Sequence, residues 1–189
     1  MSLAQDVVSV SAIQKELPVE RTYLMKELAR LKALGLIALN KSIKLTAEGR
    51  KALTVVLAGG VFDIIHAGHL YTLSKAKQLG DVLVVVIATD RRVLSLKGRH
   101  ALHSADLRKE LVSALKCVDV ALIGSEGSIF DTVVKLKPDI IALGYDQAHD
   151  EQELALKCRE MGLNTRVVRI KGYVKGVKTS RILRKLYRE

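Results

Sequence analysis

From residue 54 to its end the chain alternates five short, mainly apolar runs with longer segments of mixed polarity. That alternation limits the fold more than any other feature. The runs cover residues 54–58, 82–88, 118–123, 140–143 and 165–170. A strand with one face in water alternates apolar and polar residues. A continuous apolar run is what a strand carries when helices cover both faces of its sheet. Helical stretches are expected between the runs, near 67–79, 105–116, 127–136, 150–162 and 178–188. Five strand–helix units in succession imply an α/β fold built on a doubly wound, five-stranded parallel sheet with right-handed crossovers. In such sheets ligands bind beyond the carboxyl ends of the strands, where the strand order reverses.

Residues 1–52 follow a different pattern, which divides the chain into a 1–52 module and a 53–189 domain. Leu24, Leu28, Leu31 and Leu34 form an apolar stripe at helical spacing, with Arg21, Lys26 and Arg30 off it. Gly35 is a natural stop for that helix. A shorter helix over 11–17 precedes it, with Pro18 at the break, and two short extended pieces near 36–39 and 43–45 follow, ahead of a helix start at Thr46. Helix, turn, longer helix and small hairpin are the parts of a compact winged helix-turn-helix module.

No apolar run reaches the roughly 18 residues needed to cross a bilayer, and the opening MSLAQDVVSVSAIQKEL has no basic region followed by an apolar block. The expectation is a soluble, cytoplasmic protein without a membrane partner. Cys117 and Cys158 lie far apart with no CxxC partner, which leaves a zinc or thioredoxin-type site without ligands; reduced thiols are expected. Lys plus Arg number 31 against 20 Asp plus Glu, a net charge of +11. The excess is concentrated: residues 165–189 hold nine cations and one anion. Such a segment calls for an anionic partner, a phosphate ligand or a nucleic acid.

Neither G-x-x-x-x-G-K-S/T nor G-x-G-x-x-G follows a strand run. The first run leads instead into Gly59-Gly60-Val61-Phe62-Asp63-Ile64-Ile65-His66-Ala67-Gly68-His69. The glycine pair lets backbone approach a ligand and take unusual dihedrals. His66 and His69, three apart at a helix start, project to one side, and Gly68 between them leaves room where a side chain would block a phosphate. The helix N-terminus adds unpaired N–H groups and a partial positive charge. Together these parts make a phosphate-handling site at the end of the first parallel strand.

This segment resembles the G-x-F-D-x-x-H-x-G-H signature of the cytidylyltransferase-like nucleotidyltransferases. The likeness runs from about residue 54 to 183 and takes in the block Lys178-Thr179-Ser180-Arg181-Ile182. Within that family it is nearest to archaeal FAD synthases, on Gly144-Tyr145-Asp146-Gln147 and Leu136-Lys137-Pro138-Asp139-Ile140-Ile141. Glycerol-3-phosphate cytidylyltransferases are near neighbours, similar around His103-Ser104 and Arg108. The resemblance implies a Rossmann-like domain that transfers AMP from ATP to FMN, giving FAD and pyrophosphate, with Mg²⁺ carried mainly by the nucleotide phosphates. It implies His66, His69 and Arg181 as catalytic residues. Gly60, Val61, Phe62, Gly68, Asp146, Tyr173, Thr179 and Ser180 would contact the nucleotide, and Arg108 and Lys97 an acceptor phosphate. Val61 departs from the usual Thr or Ser, so a hydroxyl contact is lost there while a backbone one survives.

The chemistry fits these residue types. A phosphate monoester is already anionic at neutral pH and needs no general base; catalysis then rests on alignment and on positive groups facing the charge that develops on the α-phosphate and pyrophosphate. Two alternatives stand beside this reading. One is CTP-dependent transfer to glycerol 3-phosphate or a similar alcohol phosphate. The other is a DNA-binding regulator using the N-terminal module, with Arg21, Thr22, Lys26 and Arg30 on its recognition helix; residues 1–52 carry nine cations against five anions, a net +4. A homodimer is compatible with either.

Overall fold

The computed structural model of the chain describes residues 8–17 and 19–186; Pro18, the first seven residues and the last three lie outside that range, and so do the expectations placed on them. The chain divides into two compact units, Met1–Leu53 and Thr54–Glu189.

In the first unit α1 (Val10–Glu16) and α2 (Arg21–Ala33) precede an antiparallel hairpin of β1 (Ile37–Leu39) and β2 (Ile43–Leu45), and α3 (Ala47–Lys51) follows. Ser9 caps α1 through its hydroxyl, which accepts from the Ala12 N–H. Leu24, Leu28 and Ile37 form the core, and Val10, Ile13, Leu31 and Ile43 pack against it. The helical stripe therefore buries Leu24 and Leu28, but Leu34, at the helix C-cap, is 58% exposed.

In the second unit five parallel strands lie in the order β5-β4-β3-β6-β7. They are β3 (Val55–Gly60), β4 (Val82–Ile87), β5 (Val120–Ile123), β6 (Ile140–Leu143) and β7 (Arg166–Arg169). Alternation along each buried strand feeds two cores. Val56 and Ala58 of β3, with Leu83, Val85 and Ile87 of β4, face Leu73 and Ala76 of α4 (Ala67–Lys77) and Val112 of α6 (Ala105–Ser113). Val55, Leu57 and Val84 face Val133 and Leu136 of α7 (Ile129–Leu136) and Leu154 and Cys158 of α8 (Glu151–Glu160). Both faces of the central strands β3, β4 and β6 are covered, which is why those runs contain no polar alternation; the edge strand β7 carries Arg166 and Arg169. The last helix is α9 (Thr179–Leu186).

Three details differ from the sequence pattern. Gly59 and Gly60 lie within β3, in register with Val86 and Ile87, and have no left-handed dihedral. The residue that takes one is Phe62, with φ 54°. An additional helix, α5 (Asp90–Lys97), fills a stretch with no expected element; Thr89 caps it and Gly98 ends it at φ 64°. From β3 the chain builds outward to β4 and β5, then crosses back to lay β6 and β7 on the other side. The strand order thus reverses between β3 and β6, and the crevice beyond their carboxyl ends is where a ligand fits.

Candidate active site

Beyond β3 the chain turns sharply and is held there from below. The Arg108 guanidinium donates to the Val61 carbonyl at 2.6 Å, the His103 carbonyl at 3.0 Å and the Asp90 carboxylate at 2.6 Å. Asp63, 2% exposed, accepts from the Leu102 N–H at 2.6 Å and pairs with Arg99 at 2.9 Å. These contacts hold Val61 and Asp63 on either side of Phe62, whose left-handed backbone costs an aromatic residue energy unless its surroundings determine it. The Phe62 ring folds back over Gly60: a Cβ there would lie 2.9 Å from that ring, so the glycine serves packing.

His66 caps α4 without a side-chain hydrogen bond to its first turn, which leaves the helix N-terminal donors open to a ligand. His69 follows one turn on. The two imidazoles stack, with centroids 3.9 Å apart and planes 15° from parallel. Phe62 backs His69 at 5.1 Å. The Nδ1 atoms of both histidines are buried with no hydrogen-bond partner. Such orphaned polar atoms at the end of a central parallel strand mark a place where a ligand completes the bonding. Burial pushes the His69 pKa down to about 4, helped by the neighbouring His66 and opposed by Asp146. Burial likewise lowers His66, again against the pull of Asp146. At neutral pH the His69 ring is therefore uncharged, with one N–H to donate, and His66 is shifted in the same direction. Gly68 lies between them: a Cβ there would sit 3.0 Å from Cε1 and Nδ1 of His66 and 3.5 Å from the Val177 carbonyl. The space it preserves belongs to the His66 ring.

The loops after β6 and β7 form the facing wall. Gln147 spans the switch point, donating to the Gly59 carbonyl at 2.7 Å and accepting from the Gly144 N–H at 3.1 Å. Arg169 holds the same loop, bonded to Glu151 at 2.8 Å and to the carbonyls of Gly144 and Gln147 at 3.1 and 3.0 Å. Tyr145 and Tyr173 stack at 4.8 Å. Lys178 lies over the Tyr145 ring at 5.1 Å and 3.1 Å from the Asp146 carboxylate; bonds to Tyr145 and Asp146 raise its pKa. Thr179 starts α9 with its hydroxyl 3.5 Å from the Ile64 carbonyl, joining α9 to the histidine loop. A cavity of about 530 Å³ opens here, lined by Tyr145, Tyr173, Lys178, Ser180, Arg181 and Arg184 among others.

The structure brings His66, His69, Phe62 and Gly68 together at the head of α4. It gathers Tyr173, Ser180 and Arg181 around the cavity, with Asp146 acting on both histidines. Arg108 is a correction. At 0% exposed, with its guanidinium bonded to two carbonyls and Asp90, it supports the loop from inside and does not face an acceptor phosphate. Val61 is used through its carbonyl, as the acceptor for that arginine. Lys97 is exposed in the last turn of α5, and no contact ties it to the histidines. Asp63, Tyr145, Gln147 and Lys178 also belong to the candidate site; all four lie in blocks on which the resemblance rests, where none of them was given a role. Among the described residues no group of three or more His, Cys, Asp or Glu side chains is placed to hold a metal ion, and no helix is long and apolar enough to cross a membrane.

Comparison with known proteins agrees with this geometry. The model of the family described as cytidylyltransferase-like matches residues 57–185. An FAD synthase of Picrophilus torridus is 48% identical over 130 residues, covering 69% of this chain and 93% of the relative. An FAD synthase of Pyrococcus horikoshii is 45% identical over 134 residues, covering 69% and 90%. Among solved structures, one titled a lipopolysaccharide core biosynthesis protein from Thermoplasma volcanium superposes with a TM-score of 0.62 at 45% identity, over 65% of this chain and 99% of that one. A pantoate–β-alanine ligase from Francisella tularensis, 12% identical with a TM-score of 0.50 over 74% and 73% of the two chains, shares the fold alone. A stacked histidine pair at the head of the helix after the central strand, and a family match that begins inside that strand and ends in the last helix, lead to one conclusion: the chain belongs to the cytidylyltransferase-like family.

Proposed function

We propose that the chain is an FMN adenylyltransferase, joining ATP and FMN to give FAD and pyrophosphate. The observation that carries this reading is the stacked pair of histidines with buried, unpartnered Nδ1 atoms, together with a cation-lined cavity. The FAD synthase names of its relatives supply the acceptor and the nucleotide.

In the reaction an oxygen of the FMN phosphate attacks the α-phosphorus of ATP while the bond from that phosphorus to the bridging oxygen of pyrophosphate breaks. The attacking group is an anion and gives up no proton, so the site needs no base. Its task is to place two like-charged groups in line and to stabilise the charge moving onto the leaving group. His66 and His69 donate N–H hydrogens to the α-phosphate and its bridging oxygen, with the first-turn N–H groups of α4 beside them. Ser180, Arg181 and the start of α9 receive the β- and γ-phosphates. The stacked Tyr145 and Tyr173 give a flat substrate ring an aromatic surface.

Phosphate oxygens and water are the natural ligands of a Mg²⁺ ion, which dehydrates reluctantly. An ion carried in by the triphosphate would need few protein ligands. Bound there, the ion supplies charge neutralisation of the phosphates.

Incubating the protein with FMN and either ATP or CTP tests the reading. FAD and pyrophosphate should form with ATP and Mg²⁺. Formation of a CDP-alcohol from CTP and glycerol 3-phosphate, with no FAD from ATP, overturns it.

A further inference from the structure

We propose that the N-terminal unit is a duplex-DNA-binding module, with α2 as the helix that enters the major groove. The catalytic reading leaves this unit without a task, and the proposal does not depend on that reading.

The unit contains the geometry that groove insertion requires. α1 precedes α2 in the chain, Val10 and Ile13 of α1 pack on the core that Leu24 and Leu28 of α2 form, and the β1–β2 hairpin gains a third extended piece where Val8 bridges Ile43 antiparallel. One face of α2 is committed to the core through Leu24 and Leu28. The opposite face carries Thr22, Met25, Lys26, Ala29 and Arg30, all exposed at helical spacing. At 13 residues, α2 is roughly 20 Å long, and its width suits a B-form major groove about 12 Å across.

The chemistry of that face fits the edges and backbone of a DNA duplex. Lys26 and Arg30 offer charge and donors to phosphates or guanine edges, Thr22 a hydroxyl, and Met25 and Ala29 apolar contact for thymine methyls. Arg30 bonds Glu27 at 2.9 Å yet stays 62% exposed, so the pair holds the guanidinium at the surface without burying it. Glu27, half-buried on the flank, is the one carboxylate within α2. The hairpin adds exposed Lys41 and Lys44. Duplex RNA is a poorer match, because its deep, narrow major groove does not admit a helix.

The test is fluorescence anisotropy of a labelled DNA duplex titrated with the full chain between 50 and 200 mM salt. Four phosphate contacts, from Lys26, Arg30, Lys41 and Lys44, give a log–log salt slope of about −3.6, a loss of roughly 10²-fold in affinity across that range. Changing Lys26→Ala and Lys44→Ala together should bring the slope to about −1.8 and weaken binding by roughly 10²-fold at 50 mM salt. The melting temperature and the rate of FAD formation should stay unchanged, so failure of the DNA reading is separable from failure of the catalytic one. Absence of binding at 50 mM salt overturns the proposal. So do an unchanged slope in the double variant, loss of binding through Arg184→Ala instead, and equal or tighter binding of duplex RNA.

Discussion

Replacing Gly68 with alanine separates the geometry of the histidine pair from the stability of the fold. Gly68 lies in the first turn of α4 with an ordinary helical backbone, since the left-handed glycines are Gly35, Gly98, Gly162 and Gly176. Alanine is therefore allowed there, and a better helix former by up to about 1 kcal/mol, less in a first turn. The new Cβ would stand 3.0 Å from Cε1 and Nδ1 of His66. Carbon contacts are comfortable from about 3.5 Å, so the ring must move by roughly half an ångström. His66 is stacked on His69, and the shift disturbs both donors at once. A misplacement of about 1 Å costs roughly 10²-fold in rate, so half of that predicts a fall of about tenfold in kcat. The assay is steady-state FAD formation beside a thermal melt of the same preparation. The expected variant melts at or slightly above the wild-type temperature and turns over about ten times more slowly. A rate within twofold of wild type, or a rate loss that follows a collapse in melting temperature, refutes the reasoning.

Changing Arg108→Met removes three donors, from the carbonyls of Val61 and His103 and from the Asp90 carboxylate, at part-buried bonds. Asp90 stays half exposed and limits the damage, so the expected cost is about 3 kcal/mol, or about 10 °C in melting temperature, with little change in KM for FMN. An acceptor-phosphate role would show the reverse: a raised KM and an unchanged melt. Protons give a second test. His69 has a pKa of about 4 when folded against about 6.5 when unfolded, so between those values the unfolded chain binds more protons. Stability is then full above pH 6.5 and lost as pH falls toward 4, by about 1–2 kcal/mol at pH 5 for a partly exposed ring. Urea midpoints at pH 7.5 and 5.0 measure it, and His69→Gln should remove most of the slope. Because phosphate favours the charged imidazoles, nucleotide binding at pH 5.5 should take up protons, which calorimetry in buffers of different ionisation enthalpy detects.

The sheet was legible because its signal is local and repeated: an apolar run between amphipathic segments needs only the two-sided cover of each strand. The histidine pair was legible for a similar reason, since three-residue spacing at a helix start determines where two rings point. What escaped depended on distant contacts. Residues Asp90–Lys97 bury only Val93, so α5 has almost no apolar stripe; its signals were the capping Thr89 and the terminal Gly98. The resemblance sets Arg108 at an acceptor phosphate, whereas its burial is set by the Val61 carbonyl 47 residues earlier. Arg169 counted toward a phosphate-binding charge cluster, yet its guanidinium bonds the loop after β6. The left-handed turn falls on Phe62 beside two available glycines, which no local preference announces; Arg108 and Asp63 impose it from either side.

The central claim is that His66 and His69 act on the reacting phosphorus, and single-turnover FAD formation measures this most directly. For His66→Ala and His69→Ala the rate of the chemical step should fall roughly 10²–10³-fold, the scale of one lost transition-state donor. Nucleotide affinity in the same experiment should change far less. A near wild-type rate in either variant, or equal losses in rate and affinity, would contradict it.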